Sequence, residues 1–157
     1  MVQARGLGCL VFSVRDLERS KDFYVRVVGF KVVAEDASRR MALLTKGSRG
    51  QRLALIERAT GAPLAAGQPG MIHMAWELGS FEELQAAWRE LGSRGVEFER
   101  TVQHHVTRSI YFRDPDNNCM ELFCNRHENG FEAMRDHNMG TAKLNIETGE
   151  TEEMHHF

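Results

Sequence analysis

Cysteine is scarce in this chain: only Cys9, Cys119 and Cys124, with no Cys-x-x-Cys spacing. An odd, scattered set excludes a disulfide framework and fits a reducing compartment. Long apolar runs are missing too. None approaches the roughly 20 residues that cross a bilayer as a helix, so no membrane partner is expected. The first residues lack the charged, apolar and small-residue layout of a signal peptide, and the expected location is the cytoplasm. Charge of one sign is not in excess either. A net charge of -2 over 157 residues leaves no basic footprint, so no nucleic-acid partner is expected. What is present, 42% hydrophobic and 27% charged residues, is the make-up of one globular domain long enough to bury a real core.

The most informative stretch is Ser109-Ile-Tyr-Phe-Arg-Asp-Pro-Asp-Asn-Asn-Cys-Met-Glu-Leu-Phe123. Its ends carry the β-branched and aromatic residues of strands. Asp114 to Asn118 is turn chemistry, with Pro115 presetting φ and Asp and Asn tolerating left-handed backbone. Alternation places Cys119, Glu121 and Phe123 on one face. Glu121 is therefore either an edge-strand glutamate in water or a carboxylate among apolar neighbours, and a buried carboxylate needs a partner or a metal.

Read in order, Leu7 to Val14 predicts a strand buried on both faces, with Leu7, Cys9, Val11 and Ser13 on one side and Gly8, Leu10, Phe12 and Val14 on the other. Asp16 caps a helix running to about Val28, striped by Phe23, Tyr24, Val27 and Val28 and ended by Gly29. Strands are expected over 30–35, 40–45 and 52–57, with a turn at 47–50 and a linker at 60–70. The plan then restarts. Met71 to Leu78 is a strand with His73, Ala75 and Glu77 on one face. Ser80 and Glu83 form a capping box ahead of Phe81, Leu84, Ala87, Trp88 and Leu91 at helical spacing. Strands follow over 96–100, 108–113 and 118–124. The chain thus holds βαβββ twice, a repeat of about 64 residues measured from Cys9 to His73. Residues 1–124 form a single domain with modules 7–58 and 71–124. Residues 125–157 form a C-terminal arm, with a short helix over 128–137 carrying Phe131 and Met134, and His155 and His156 in a solvated tail.

This duplicated plan resembles the vicinal oxygen chelate superfamily, which includes glyoxalase I, fosfomycin and bleomycin resistance proteins and extradiol dioxygenases. Val11-Phe-Ser-Val-Arg-Asp-Leu-Glu-Arg-Ser-Lys-Asp-Phe-Tyr24 is similar to that family's first strand and helix. His73-Met-Ala-Trp-Glu-Leu78 is similar to its second-module opening, and Arg113-Asp-Pro-Asp-Asn-Asn-Cys-Met-Glu121 to its closing turn and metal-binding carboxylate. The resemblance implies an α+β fold, two βαβββ modules forming a cup-shaped mixed sheet with the helices on the convex face. It also implies a homodimer. Phe23, Tyr24, Val27, Leu84, Trp88 and Leu91 would then pack against Leu10, Phe12, Met74 and Trp76.

By the same resemblance the metal ligands are Cys9, His73 and Glu121, with Cys9 standing where the family has a histidine. The cofactor is a divalent metal: Fe(II) by resemblance, Zn(II) if the Cys9 thiolate sets the preference, or none. Glyoxalase I uses one more glutamate; the matching place here is Ala54, and Glu57 has the opposite parity. His104-His-Val-Thr-Arg-Ser-Ile-Tyr111 is similar to the catechol-cleaving signature, which makes His104 and Tyr111 the catalytic and substrate-binding pair. They are alternatively a loop histidine and a solvent-facing strand tyrosine. Gln51 occupies the substrate-side position of the family's acid-base histidine. Asn117 stands where the family often has glycine. The expected activity is extradiol-dioxygenase-like, on a small aromatic vicinal diol. The alternatives are a non-catalytic small-molecule binding protein of the resistance type and, less favoured, a glyoxalase-like isomerase.

Overall fold

Strand pairing divides the molecule into two sheets. The computed structural model describes residues 7–47, 51–61, 70–128 and 140–153. The elements in order are β1 (Leu10–Val14), α1 (Leu17–Arg26), β2 (Lys31–Asp36), β3 (Met41–Lys46), β4 (Gln51–Glu57), β5 (Met74–Leu78), α2 (Phe81–Ser93), β6 (Phe98–His104), β7 (Thr107–Arg113), β8 (Cys119–Asn125), β9 (Thr141–Leu144) and β10 (Thr151–Glu153). One sheet runs β1-β4-β3-β2 and the other β10-β9-β6-β7-β8-β5. In each, the strand before the helix pairs in parallel with the last strand of its module, and the rest are antiparallel. The α+β class and the twofold βαβββ plan are thus observed. The chain forms two compact units. Unit one holds the chain up to Ala66 together with the turn Asp114–Asn117, and unit two holds the remainder.

In unit one, Asp16 caps α1 by accepting from the Arg19 amide at 2.9 Å, and Glu57 Oε2 accepts from the Leu17 amide at 2.9 Å. Two carboxylates at a helix start answer its unpaired amides and its positive dipole end. Glu57 is thereby a structural residue, bridged also to Arg40. The buried helix stripe is Leu17, Ser20, Tyr24 and Val28, rotated from the expected one; Phe23 and Val27 are only half-buried. The cause is Tyr24, whose hydroxyl donates to Asp114 at 2.7 Å and fixes the helix's roll about its axis. Burial, reinforced by the Asp114 charge, pushes the Tyr24 phenol far above the ordinary tyrosine value. The turn itself is tied by the Asp116 amide to Asp114 Oδ1 at 2.9 Å and by Arg15 to Asp116 at 2.7 Å. Asn117 takes φ +71, the left-handed region that asparagine tolerates.

The expected two-faced burial of residues 7–14 is corrected. The strand begins at Leu10, where its register with Leu53 starts, and Leu10, Phe12 and Val14 point inward while Leu7, Cys9, Val11 and Ser13 are exposed. Among the described residues no layer packs on that face of β1, and half of its apolar run is exposed.

In unit two, Ser80 Oγ accepts from the Glu83 amide at 3.2 Å, and Glu83 reaches back to the Gly79 amide at 2.7 Å, one residue earlier than a capping box requires. α2 packs on β5, β7 and β8, burying Leu84 and Leu91 against a layer that includes Met74, Trp76, Ile110, Phe112, Met120 and Leu122. Trp88 is half-buried and stacks on Phe98, with centroids 6.0 Å apart.

Residues 140–153 are not an extended arm. They form the β9–β10 hairpin and add two strands to the β6 edge. Leu144 and Ile146 are buried, Thr101 Oγ1 donates to the Leu144 carbonyl, and Gln85 Nε2 donates to the carbonyls of Ile146 and Glu147. Two apolar side chains in a polar segment gave too weak a period to reveal this. The helix expected over 128–137 falls almost wholly, and His155 and His156 entirely, outside the described residues. No helix among the described residues is long and apolar enough to cross a membrane.

Candidate functional site

One face of unit two gathers the polar residues that matter. Residues Arg100, Val102 and His104 of β6 share a side of the strand, beyond a bulge between Phe98 and Arg100. Tyr111 on β7 sits directly across from Arg100 and from Glu121 on β8, and Glu121 pairs with Ala75 on β5, two residues past His73. Alternation on β6, β7 and β8, with His73 immediately ahead of β5, therefore delivers four functional side chains to one surface.

Glu121 is the centre. It is only 6% exposed, and its carboxylate is satisfied by two donors: Tyr111 hydroxyl to Oε1 at 2.8 Å and His73 Nε2 to Oε2 at 2.9 Å. The edge-strand reading of Glu121 is thereby excluded. The His73 Nδ1 is buried without a hydrogen-bond partner among the described residues, so the contact with Glu121 sets the ring's tautomer and the proton sits on Nε2. The His73 and Tyr111 rings meet edge to face, 5.6 Å apart. The Arg100 guanidinium lies 4.1 Å from the Tyr111 ring centroid, a cation–π arrangement. His104 Nε2 lies 3.4 Å from the Tyr111 hydroxyl, and its Nδ1 lies 3.0 Å from Thr141 Oγ1.

These surroundings set the protonation states. Burial, reinforced by the hydrogen bond to Glu121 and its charge, pushes the Tyr111 phenol up to about 12. Burial holds His104 below the ordinary imidazole value, against the pull of Glu121 and with the help of Arg100 and His73. At neutral pH the surface thus presents a phenol that donates and a neutral imidazole. Neither His104 nor Tyr111 is the loop or solvent-facing residue of the alternative reading: both are in strands, and Tyr111 is buried.

Of the six residues singled out in the sequence, His73, His104, Tyr111 and Glu121 come together. Cys9 belongs to unit one, where it is exposed and its thiol donates to the Leu10 carbonyl at 3.2 Å. Gln51 opens β4 opposite Lys46, and its side chain lies outside what is described. Ala54 is buried in β4. Among the described residues, no three His, Cys, Asp or Glu side chains are grouped to hold a metal ion. Sequence reasoning missed Arg100 and Thr141. The strand expected over 96–100 runs instead over Phe98–His104, so the sequence reading had no reason to set Arg100 on one face with His104, and nothing in the sequence marked Thr141.

The model of the glyoxalase/bleomycin resistance protein/dioxygenase superfamily matches residues 6–122. The chain belongs to this family. It is 32% identical over 114 residues to biphenyl-2,3-diol 1,2-dioxygenase 2 of Rhodococcus globerulus, covering 72% of this chain and 59% of that protein. It is 31% identical over 144 residues to the catechol-2,3-dioxygenase of Bacillus subtilis (strain 168), covering 90% of this chain and 50% of that one. The chain therefore spans about half to three-fifths of the length of these curated relatives. Among solved structures, a glyoxylase/bleomycin resistance protein/dioxygenase domain from Frankia sp. EAN1pec superposes with a TM-score of 0.70 at 23% identity, over 79% of this chain and all of that one. The fosfomycin resistance protein FosX of Listeria monocytogenes gives 0.64 at 21%, over 76% and 91%. Both show the fold. Family members generally bind a divalent metal and a small-molecule substrate, and usually dimerise.

The residues present fit such a metal in part. His73 Nε2 and Glu121 Oε2 are neighbours, 2.9 Å apart, and both would be free to bind one ion once the imidazole proton between them is released. An imidazole and a carboxylate are two members of the two-His, one-carboxylate set that holds non-haem iron.

Proposed function

We propose that this chain is a metal-dependent, extradiol-dioxygenase-like protein acting on a small aromatic vicinal diol. The observation that carries the reading is the continuous run His104–Tyr111–Glu121–His73 on one sheet face. His73 and Glu121 would hold the metal, with Cys9 as the third ligand by resemblance. A thiolate there favours Zn(II), while the family's chemistry favours Fe(II). When bound, the metal supplies Lewis acidity to the diol oxygens. With Glu121 engaged as a metal ligand, Tyr111, kept neutral, would turn its O–H to donate a hydrogen bond to a ligand oxygen. His104 presents Nε2–H to the same region and would stabilise negative charge developing on the ligand. Gln51 would line the substrate side without exchanging a proton near neutral pH. A homodimer would cover the exposed apolar residues Val11, Val32 and Val33 of unit one.

Two residues favour a second reading, a non-catalytic binding protein of the same fold: the thiol of Cys9 where a ligand imidazole is expected, and the amide of Gln51 where a base is expected. The two readings separate in one experiment. Protein purified without a His tag is analysed for metal, then given Fe(II) and a simple catechol under air, and the yellow ring-fission product is followed. Cys9→His should raise Fe(II) affinity, and Cys9→His with Gln51→His should cleave faster than either single variant, because ligand and base act as a unit. No product from the double variant, with Fe(II) bound, would leave the binding-protein reading standing. Robust cleavage by the unaltered chain would show that Cys9 and Gln51 are compatible with catalysis.

A further inference from the structure

The C-terminal hairpin reaches the site through a single hydroxyl. β9 pairs with β6 in the register Val102↔Lys143, Gln103↔Ala142 and His104↔Thr141, which sets Thr141 directly across from His104. Cross-strand partners share a sheet face, so the two side chains meet, and Thr141 Oγ1 lies 3.0 Å from His104 Nδ1. The register is held from the other side of the hairpin by buried Leu144 and Ile146, by Thr101 and by the Gln85 amide.

Proton bookkeeping along the run then assigns the tautomer. The Tyr111 hydroxyl has one proton and gives it to Glu121 Oε1. Its oxygen can only accept from His104 Nε2, which lies 3.4 Å away. Nε2 therefore carries the imidazole proton. A neutral ring has one N–H, so Nδ1 is the bare nitrogen and accepts from the Thr141 hydroxyl. If Thr141 were instead the acceptor, Nδ1 would hold the proton, and Nε2 and the Tyr111 oxygen would face each other with no hydrogen between them.

We infer that Thr141 is a positioning residue: its hydroxyl, delivered by the C-terminal hairpin, holds His104 as the Nε2–H tautomer with that N–H turned toward Tyr111 and the ligand. The catalytic half of this statement rests on the proposed reading of the site, in which His104 meets the ligand; the tautomer half does not. Residues 140–153 thereby supply part of the site, outside the matched family region 6–122.

The experiment uses the full chain with 15N-labelled histidine. The His104 resonances are assigned by their loss in His104→Gln, and recorded well above the ordinary imidazole pKa. The unaltered protein should show one His104 tautomer, protonated at Nε2 with Nδ1 unprotonated. Thr141→Val, nearly isosteric but without the hydroxyl, should give a mixture of tautomers, and Thr141→Ser should restore the single form. In a chain that proves active, Thr141→Val should lower kcat about tenfold with KM little changed, less than the roughly 10²–10⁴-fold that a positioned proton-transfer group itself contributes because His104 is retained, and Thr141→Ser should recover it. A single unchanged tautomer in Thr141→Val, or a mixed one in Thr141→Ser that retains the hairpin by amide exchange, would overturn the inference. Absence of ring cleavage in every variant would overturn the function proposed for the site and leave the tautomer result to stand or fall by itself.

Discussion

Laid over one another by strand register, the two units show what a repeated plan preserves and what it leaves free. Leu10 pairs with Leu53 in unit one as Met74 pairs with Met120 in unit two. By that correspondence Cys9 matches His73 and Ala54 matches Glu121. Leu43, across from Ala54, matches Tyr111, and Ala34 matches Arg100. Even the bulge recurs, between Val32 and Ala34 and between Phe98 and Arg100. The inward-facing layer is apolar in both units, because each helix must bury its stripe on it. The opposite layer is Cys, Ala, Leu and Ala in one unit and His, Glu, Tyr and Arg in the other. Packing constrains one face of a sheet, and chemistry can be placed on the other without disturbing the fold.

The sharpest way to break this contrast is to remove its polar centre. Glu121→Gln should lower the affinity for added Fe(II) or Zn(II) by at least about 100-fold, since loss of a direct ligand should exceed the 10–100-fold typical of outer-shell partners. Titration calorimetry on the variant and the parent decides, and equal metal affinity in the two would remove Glu121 from the site.

The next largest effect concerns the layer that each unit buries beneath its helix. Leu84→Ala should cost about 2–5 kcal/mol, the range for a large-to-small core change. Both tryptophans, Trp76 and Trp88, lie in unit two, so urea unfolding followed by their fluorescence reads this unit directly. A midpoint that does not move would mean α2 is not docked as described.

A smaller loss is expected from Tyr24→Phe in unit one. It leaves the buried Asp114 carboxyl without its 2.7 Å donor, at a cost of about 1–3 kcal/mol. Circular dichroism during urea unfolding measures it; a value near zero would show that the hydroxyl does not fix the helix.

The mildest test needs no mutation. The chain's two tyrosines fall one in each unit, and both phenols are raised by burial and a carboxylate. In metal-free protein, tyrosinate absorbance should not develop near pH 10, as it will in the denatured chain, and Tyr111 should titrate only near 12. The sign follows from proton binding. Above about pH 10 the unfolded chain has released protons that the folded one retains, so the contribution of Tyr111 to stability is full below about pH 10 and is lost as pH rises through about 12, while that of Tyr24, raised further, outlasts it. An ordinary titration of the folded protein would refute the burial of both rings.

Much of the fold and of the site is legible in the residues alone. Asp16 and Ser80 announce the two helices because a cap acts on amides two or three residues away, a distance the chain cannot conceal. The βαβββ repeat follows from residue type and hydrophobic period, and alternation alone placed Glu121 on a face with Cys119 and Phe123; His104 and Tyr111 stood out only through the resemblance, and their sharing of that surface needed the pairing register. The roll of α1 departs from the expected one because Phe23 and Val27 are as apolar as Leu17, and the bonds from the helix to a turn 90–96 residues on, Tyr24 to Asp114, Arg19 to the Pro115 carbonyl and Ser20 to Asp116, select among them. The face of β1 carrying Leu7 and Val11 departs from expectation because an apolar run does not disclose whether a second layer exists to cover it.

The sequence by itself determined the two βαβββ modules, the order of their elements and the alternation of residues along each strand, since these depend on local backbone geometry. Only the tertiary structure decided which elements are neighbours. It joined β9 to β6, placed Thr141 against His104, turned Arg100 onto Tyr111 and gave Glu121 two donors. Pairing register and hydrogen-bond partnership arise between segments far apart in the chain, and no local pattern encodes the partner.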